Sequence, residues 1–444
     1  MSATTDRTFL DMTRYQWTVL LAAWLGWGFD IFDSILFNFV APNCVPTLLG
    51  LPIGSPEARA ATLNWTGIVT SVLLLGWGLG GILFGKIADR IGRTRTLLLT
   101  MLLYSLGTAA CAAVPNIESL LVCRFIASLG IGGEWAAGAA MVAEVVPERR
   151  RVEAGALLYT AAPLGLLLAT VVNAEIAGDW LRDSPETSWR WIFLCGLAPA
   201  VVAFAVRFFV KEPERWAQVA QTTVAPRYRD LFTPEWRRYT VTGTLLALTA
   251  LVMWWSCNAF IPVVVGGLGA QAAAAQGLSG GEAQAMIEAW KTRAIHIFNF
   301  GGFVGTLLTV PAAKYLGRRA MFGAYFLLSA LSILCAFGIE MSAEARLWMY
   351  LPIGLTVFGV FGSFTYYLPE LFPTRLRGTG AGFCYNFGRF FAAAGPFIVG
   401  SVASRGADAA STAIDVLFWV GVVPLAGLLL IPFVVETKDR PLLE

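Results

Sequence analysis

The chain has 444 residues, of which 57% are hydrophobic and 14% are charged, and its mean hydropathy is +0.66. Soluble domains carry about 25% charged residues, so this composition excludes an ordinary soluble domain and equally a disordered chain. The net charge of +3, from 32 basic and 29 acidic residues, is too small to attract nucleic acid, which excludes that class of partner.

Long apolar runs dominate the chain. A bilayer core of about 30 Å requires about 20 apolar residues per helix. Strands are predicted nowhere, because a membrane barrel would show short alternating segments instead. The first run is too long for a signal peptide and has no cleavage site, so it is predicted to remain as a span. Twelve spans are predicted, at 17–40, 61–84, 94–114, 118–143, 154–177, 190–210, 239–265, 294–313, 320–340, 346–369, 378–402 and 413–435.

Basic residues are distributed unevenly between the two sides of these spans. If the N-terminus is cytoplasmic, 23 Lys and Arg fall in the inner segments and seven in the outer ones. Cytoplasmic loops of membrane proteins carry this excess of positive charge. The sequence therefore predicts a multi-pass protein of the inner (plasma) membrane with both termini in the cytoplasm.

An internal repeat indicates the architecture. The stretch 144–151 reads EVVPERRR and the stretch 370–377 reads ELFPTRLR, so that one Glu, one Pro and two Arg recur at a displacement of 226. Gly92-Arg93 recurs as Gly317-Arg318. Two like-oriented halves of six spans are typical of carriers whose halves rock about a site at the membrane midplane. The predicted domains are an N-terminal six-helix bundle (1–210), a cytoplasmic linker (211–238) and a C-terminal six-helix bundle (239–444).

The loop after the second span reads GKIADRIGRTR from residue 85 to residue 95. Its glycines permit a tight turn and its cations prefer the cytoplasmic face, which a topology signal alone would also explain. The complete pattern, with its acidic Asp89, resembles the signature loop of the major facilitator superfamily. The resemblance implies an all-α membrane protein of twelve helices in two pseudo-symmetric bundles. It also implies that Asp89 binds a helix start in the other half, where a carboxylate favours the helix dipole.

The second half departs from this pattern. Lys314 stands where the counterpart of Asp89 is expected, so only one half is predicted to carry the contact. Together with the repeated stretch, the loop is predicted to control the opening of the carrier. The predicted gating residues are Gly85, Asp89, Arg90, Gly92, Arg93, Glu144, Arg149, Glu370 and Arg375.

The fourth span carries an arginine, Arg124, followed by glycines that allow close helix packing. The segment resembles the fourth-helix motif of the same superfamily. Its ending, Gly132-Gly133-Glu134-Trp135, resembles the branches that carry organic acids with protons, namely the sialate, monocarboxylate and aromatic-acid symporters. The segments 212–213 (EP) and 436–441 (ETKDRP) instead resemble the sugar porters, so the subfamily signal is mixed.

Two carboxylates, Asp30 and Asp33, lie three residues apart in the first span and hence on one helix face. At 1.5 Å per residue they lie about 20–24 Å from the inner edge, and Arg124 lies at about 20 Å, so the three side chains can meet. Ionisable residues inside a membrane are costly and are functional by default, the alternative here being a structural ion pair. We predict that Asp30, Asp33, Arg124 and Glu134 couple protons, with Asp30 releasing its proton inward when Arg124 pairs with it.

Arg389 is a second intramembrane arginine, in the eleventh span about 16 Å from Gly378 and so near the midplane. A guanidinium can bind a carboxylate through two parallel hydrogen bonds. We therefore predict that Arg389 binds the substrate, the alternative being an interhelical or snorkelling arginine. The other predicted substrate-binding residues are Asn386, Trp254, Trp255, Asn258, His296, Asn299, Tyr366 and Tyr367.

These features predict a proton-coupled symporter that imports a small organic anion, such as a mono- or aromatic carboxylate or sialate, by alternating access. Its expected partners are the anion, protons and the lipid bilayer, and it is expected to act as a monomer. A sugar or polyol symporter is the alternative within the class. Sugar porters bind hydroxyl groups with several amides, whereas all six Gln of this chain fall outside the predicted spans.

Other classes of function are less compatible with the sequence. A sensor that kept the carrier fold would use a large soluble domain, but the longest inner loop has about 28 residues, 211–238. A channel is the remaining alternative. Seven scattered Cys without ligand spacing predict no disulfide and no metal site, and the absence of a catalytic triad or cofactor loop argues against an enzyme or a cofactor.

Overall fold

The computed structural model describes residues 11–222, 226–403 and 409–443, and within these residues every regular element is a helix. The all-α prediction is therefore confirmed. Residues 1–10, 404–408 and 444 of the two predicted bundles, and 223–225 of the predicted linker, lie outside the described residues. The bundle and linker boundaries stay predictions.

The first half contains six helices. They are α1 Arg14–Leu49, α2 Pro56–Ile91, α3 Arg93–Ala113, α4 Ile117–Val145, α5 Glu148–Trp180 and α6, which consists of Pro185–Leu194, Cys195–Leu197 and Ala198–Phe209.

The second half repeats the pattern after a linker helix, Glu214–Thr222. Its helices are α7 Arg237–Ala275, α8 Gly280–Leu316, α9 Arg318–Gly338, α10 Ala343–Glu370, α11, which consists of Arg377–Phe387, Arg389–Ala392 and Ala394–Ala403, and α12 Ala410–Phe433.

Each of the twelve predicted spans falls on one of these helices. In the described part of the chain, ten helices are long and apolar enough to cross a membrane. The other two, α6 and α11, consist of shorter segments, and α5, α10 and α12 also contain short turns. Hydropathy alone located these two spans because it does not depend on whether the backbone hydrogen bonds run without a break.

Several helices are longer than the predicted spans. The 39 residues of α7 extend about 58 Å, nearly twice the thickness of a bilayer core. The predicted span ended at residue 265 because two glycines follow, but the helix continues through an alanine-rich stretch to Ala275. Alanine is the strongest helix former, so the helix ends only at Gln276 and Gly277, whose φ is +69°.

Two glutamates close the starts of α3 and α9 in the same way. Gly92 and Gly317 precede these helices with φ of +114° and +89°, values that favour glycine. Glu212 accepts hydrogen bonds from the backbone N–H groups of Thr94 (3.1 Å) and Arg95 (3.0 Å) at the start of α3. These bonds satisfy N–H groups that a helix start otherwise leaves without partners.

Glu436 has the equivalent position at the start of α9. It accepts from the backbone N–H groups of Arg318 (2.9 Å) and Arg319 (3.1 Å). Partial burial opposes ionisation, yet these N–H groups and that of Lys438 hold the pKa of Glu436 below its ordinary value. The segments that resemble sugar porters in sequence thus serve helix capping, which carries no information on the substrate.

The two halves meet at the end of the molecule that carries both termini, which we call the termini side. There α2 and α11 cross so closely that a Cβ on Gly85 would collide with the carbonyl oxygen of Gly378. Helices α5 and α10 also touch, and Thr365 donates to the carbonyl oxygen of Gly155 at 2.7 Å. Glycines therefore determine how closely the halves approach at this end.

Candidate functional site

A cavity of about 480 Å³ lies between the two halves. Its lining residues run from the middle of α1, α2 and α7 toward the ends of these helices opposite the termini side. Most of the large side chains on its wall are aromatic: Trp27, Trp77, Tyr159, Trp254, Trp255, Phe298, Phe358, Phe361 and Tyr385. The cavity is therefore an apolar pocket that reaches the middle of the bundle from one side.

Arg389 is the only cation among the described residues that line this cavity. Its side chain is 3% exposed and lies between the rings of Trp77 and Tyr385, 4.3 and 4.7 Å from the ring centroids. Nη1 donates to Oδ1 of Asn386 at 2.9 Å and to the carbonyl oxygen of Tyr385 at 3.3 Å, whereas Nε has no partner. The rings and Asn386 thus hold a guanidinium whose hydrogen-bonding capacity is partly unused.

Two buried carboxyl groups lie behind the cavity wall. Asp30 and Glu134 are within hydrogen-bonding reach of each other, and none of their four oxygens accepts a hydrogen bond from a protein donor. Arg389 is near enough to Asp30 to act on it electrostatically, although the two make no ion pair. A buried carboxylate without a donor is costly, so this arrangement suits a proton shared by the two groups.

Asp33 has a different environment. Its Oδ1 accepts hydrogen bonds from Arg124 Nη1 at 3.1 Å and from the Thr108 hydroxyl at 2.5 Å, and all three residues are buried. Arg124 also donates to the carbonyl oxygen of Asp33 at 2.8 Å. The predicted meeting of α1 and α4 is present, but Arg124 pairs with Asp33 and not with Asp30, because Asp30 faces Glu134 from the same helix α4.

The predicted substrate-binding residues separate into two groups. Trp254, Trp255, Asn258 and Asn299 line the cavity together with Arg389, while Asn386 lies beneath Arg389 and supports it. The aromatic residues Trp27, Trp77, Tyr159 and Tyr385 also line it and were missed. No motif marks them, and only their helical register relative to Asp30 and Arg389 would have indicated the same face.

Besides Asn386, three of the predicted residues do not line the cavity. Tyr366 and Tyr367 are fully buried within the second half, where their hydroxyl groups approach Met321 Sδ (3.2 Å) and the carbonyl oxygen of Val435 (3.1 Å). Both tyrosines lie near the termini-side end of α10, beyond the end of the cavity. His296 is exposed on α8 and is not among the lining residues.

Asp89 joins the two halves on the termini side. It accepts hydrogen bonds from the backbone N–H groups of Gly378 (3.0 Å) and Thr379 (2.6 Å), at the start of α11. The Thr379 hydroxyl and Arg93 also donate to it, each at 2.6 Å. This is the contact with a helix start that the resemblance implies, and its role in gating stays a prediction.

Two charge triads lie next to this contact and are related by the internal repeat. Glu144 accepts from Arg93 at 2.8 Å and, across the halves, from Arg377 at 2.9 Å. Glu370 accepts from Arg318 at 2.9 Å and, across the halves, from Arg151 at 3.4 Å. We call the six residues of these triads the gate cluster. Each glutamate is thus held by one arginine from its own half and one from the other.

Three predicted gating arginines lie outside the gate cluster. Arg90 and Arg149 are exposed, and Arg375 makes only a 3.7 Å contact with Asp230 of the linker. Arg149 lies in the short turn Glu148–Arg150, whereas Arg151 begins a regular helix that faces the other half. The repeat predicted two arginines in each half, at 149 and 151 and at 375 and 377. Only the structure showed that the second of each pair, at 151 and 377, begins an α-helix and contacts the other half.

Lys314 shows that the second half also carries a contact between the halves. Its ammonium group bonds the Glu153 carboxylate, which Arg150 also contacts at 3.1 Å. Residue 153 corresponds to Thr379 under the displacement of 226, so Lys314–Glu153 is the repeat-related equivalent of Asp89–Thr379. Among the described residues, the bond of an acid to a helix start is thus made by Asp89 of the first half, as expected, while the second half adds an ion pair between the halves at the equivalent position.

Lys314→Glu is expected to weaken the closed termini side, because it places two carboxylates together in place of an ion pair. Exposed pairs contribute up to about 1 kcal/mol, so we expect the modification rate of a cysteine introduced at the buried position Thr365 to rise about fivefold. Adding Glu153→Gln removes the repulsion and is expected to restore the slow rate. The control, Lys291→Glu, breaks an exposed pair with Glu288 on α8 and is expected to change nothing. A single variant that labels like the parent would contradict this role.

A helical membrane carrier is the class of protein that these features define: two halves, a central cavity open at one end and an ionic closure at the other. Residues 23–286 match the family model of the Major Facilitator Superfamily. The chain belongs to this family, and the predicted twelve-helix fold in two six-helix bundles is confirmed. It is a multi-pass membrane transporter and not an enzyme.

Similar proteins are transporters of small molecules. The chain is 29% identical to the "Probable 4-methylmuconolactone transporter" of Cupriavidus pinatubonensis, over 86% of this chain and 83% of that protein. It is 25% identical to the niacin transporter NiaP of Acinetobacter baylyi, over 88% of each. The structure of the proton:xylose symporter XylE of E. coli, bound to 6-bromo-6-deoxy-D-glucose, matches with a TM-score of 0.72 and 19% identity, over 96% of this chain and 98% of that one. This last similarity concerns the fold alone.

Proposed function

We propose that this protein is a proton-coupled symporter that imports a small organic anion by alternating access. The observation that carries the proposal is the position of Arg389, at the end of the cavity with its Nε unpaired and with the carboxyl pair Asp30–Glu134 in its electrostatic field. A buried cation of this kind binds a carboxylate, and a pair of buried carboxyl groups without donors holds a proton.

The two events are coupled through the charge of Asp30. While Asp30 is ionised, it competes with the substrate for the field of Arg389. Once a proton neutralises the Asp30–Glu134 pair, the guanidinium is free to bind the carboxylate of the substrate. Substrate and proton therefore occupy the carrier together. After the gate cluster opens, loss of the proton restores the competing charge and expels the anion.

The termini side is the cytoplasmic side in this proposal. The basic residues on that side outnumber those on the opposite side by 23 to seven. The cavity then faces outward and the gate cluster closes the inner end, which is the state that receives substrate. We further propose that the protein lies in the inner membrane and acts as a monomer, since cavity, carboxyl pair and gate cluster are complete within one chain.

Relatives named for 4-methylmuconolactone and niacin support an organic acid as the substrate, since both compounds are small rings that carry a carboxyl group. A sugar receives less support, because the described cavity residues include no glutamine, and two of their three asparagines, Asn258 and Asn299 but not Asn38, donate within their own helices. The sequence features of the sugar-porter branch are explained by helix capping at Glu212 and Glu436.

Proteoliposomes with pH 6 outside and pH 7 inside test the proposal. A proton and a monoanion carry no net charge together, so one pH unit supplies about 1.4 kcal/mol and about tenfold accumulation per coupled proton. We expect this accumulation for a carboxylate such as 4-hydroxybenzoate and none for xylose. Protein-free vesicles correct for diffusion of the neutral acid. Uptake that follows the pH gradient no better than in these vesicles would contradict proton coupling, and uptake without counter-substrate exchange would indicate a channel.

A further inference from the structure

The cavity offers the substrate one cationic partner. Among the described lining residues, Arg389 is the only side chain that carries a positive charge, and it lies at the deep end of the cavity. Trp77 and Tyr385 pack against the guanidinium, 4.3 and 4.7 Å from their ring centroids, and Nε at its edge has no protein partner. An edge of this kind binds one carboxylate in a planar arrangement.

The remaining wall is aromatic. Trp254 and Trp255 pack edge to face at a centroid distance of 4.7 Å, and Phe298 is stacked on Phe358 at 6.0 Å. Tyr159 extends this surface through a stacked contact with Phe361. Aromatic faces carry a negative potential, so they stack well on a flat apolar ring and repel an anion.

The small polar side chains on the wall are few: Ser34, Asn38, Thr62, Thr66, Thr70, Asn258 and Asn299. Three of them already donate within their own helices. Asn258 Nδ2 donates to the Trp254 carbonyl oxygen at 3.2 Å, Asn299 Nδ2 to that of Ile295 at 2.8 Å, and the Ser34 hydroxyl to that of Ile31 at 2.9 Å. A ligand with many hydroxyl groups, or with a second carboxylate, would exchange its hydration for a wall that is mostly aromatic and carries few polar side chains.

We infer that the substrate is a monocarboxylate on a flat apolar ring, and that dicarboxylates and polyhydroxylated acids are rejected. The inference rests on the proposed function and narrows it to one chemical class. The volume of about 480 Å³ lies within the range of about 300–1,000 Å³ for small-molecule sites and accommodates such a ring with surrounding water. The ring stacks in the aromatic wall while its carboxylate binds Arg389.

Equilibrium binding to the purified full-length protein in nanodiscs tests this inference with four probes. We expect benzoate to bind about 100-fold more tightly than terephthalate, whose second carboxylate meets the aromatic wall. Monomethyl terephthalate has nearly the same length without the second charge, and we expect it to bind within about fivefold of benzoate. Glucuronate, a hydroxylated monocarboxylate, is expected to bind at least 100-fold more weakly than benzoate.

A variant that is expected to gain affinity for terephthalate relative to benzoate complements these probes, because misfolding would lower the binding of both. Asn258→Arg places a second cation on the wall, and we expect it to narrow the preference for benzoate over terephthalate at least tenfold. Terephthalate or glucuronate binding as tightly as benzoate, or no binding of benzoate to folded protein, would overturn the inference. Failure of proton coupling gives a different result, namely selective benzoate binding in nanodiscs with no uptake driven by the pH gradient.

Discussion

Arg389→Lys is expected to weaken binding of an aromatic monocarboxylate about 100-fold while the protein still folds. Lysine keeps the charge but replaces the planar fork with a single point donor, and its ammonium group fits less well between the rings of Trp77 and Tyr385. Loss of one charge-assisted, bidentate contact corresponds to about 2–3 kcal/mol, which is the stated factor. Titration calorimetry with benzoate in nanodiscs measures it.

A matched substitution separates this effect from a general loss of arginine. Arg293 pairs with Glu344 at 2.6 Å on the exposed outer part of α8, and we expect Arg293→Lys to leave benzoate binding unchanged. Thermal unfolding of Arg389→Lys should remain within a few degrees of the parent. If Arg389→Lys binds benzoate as tightly as the parent, Arg389 does not bind the substrate, and its role is the alternative one of holding α11 against α2.

Asp30→Asn is expected to abolish accumulation of substrate against a gradient while exchange of substrate across the membrane continues. Asparagine is permanently neutral, so the variant resembles the protonated carrier and leaves Arg389 free at every pH. In proteoliposomes with a gradient of one pH unit, the accumulation ratio is expected to fall from about 10 to about 1. Counterflow of labelled against unlabelled 4-hydroxybenzoate should persist, and benzoate binding should lose its dependence on pH.

Asp33→Asn provides the contrast. Its carboxylate neutralises the buried Arg124, so its removal leaves an unpaired guanidinium in the membrane. Breaking a buried pair in this way costs about 3–5 kcal/mol, and we expect lowered thermal stability before any specific effect on coupling. If Asp33→Asn folds normally and loses accumulation while Asp30→Asn accumulates normally, Asp33 and not Asp30 is the coupling residue.

The position of the buried charges could be predicted from the sequence, but their partners could not. Counting 1.5 Å per residue placed the acids of α1 and Arg124 at the same depth, and Asp33 and Arg124 do meet. The same count could not distinguish Asp30 from Asp33, since the choice depends on how α1 is rotated against α4. That rotation places Glu134 beside Asp30, a contact between residues that are 104 positions apart in the chain.

The gate cluster illustrates a second limit. The repeat identified the glutamates at 144 and 370 and marked two arginines beside each one. Which arginine crosses to the other half depends on where the regular helix begins, because Arg149 lies in the short turn Glu148–Arg150 that opens α5 and Arg151 begins the α-helix that follows. Similarly, Lys314 was identified as a departure from the motif, and only the structure showed that it bonds Glu153 of the other half.

The sequence by itself determined the class of protein. The length of each apolar run and the charge of the loops beside it are local properties, and they determine directly how a chain inserts into a bilayer. It also determined the two halves and most of the ionisable residues that merit attention. The tertiary structure alone decided which side chains share one space: the rings around Arg389, the pairing of Asp30 with Glu134 and the closure of one end. These depend on the rotation and crossing of helices, which arise from the packing of all twelve together and leave no mark on any single segment.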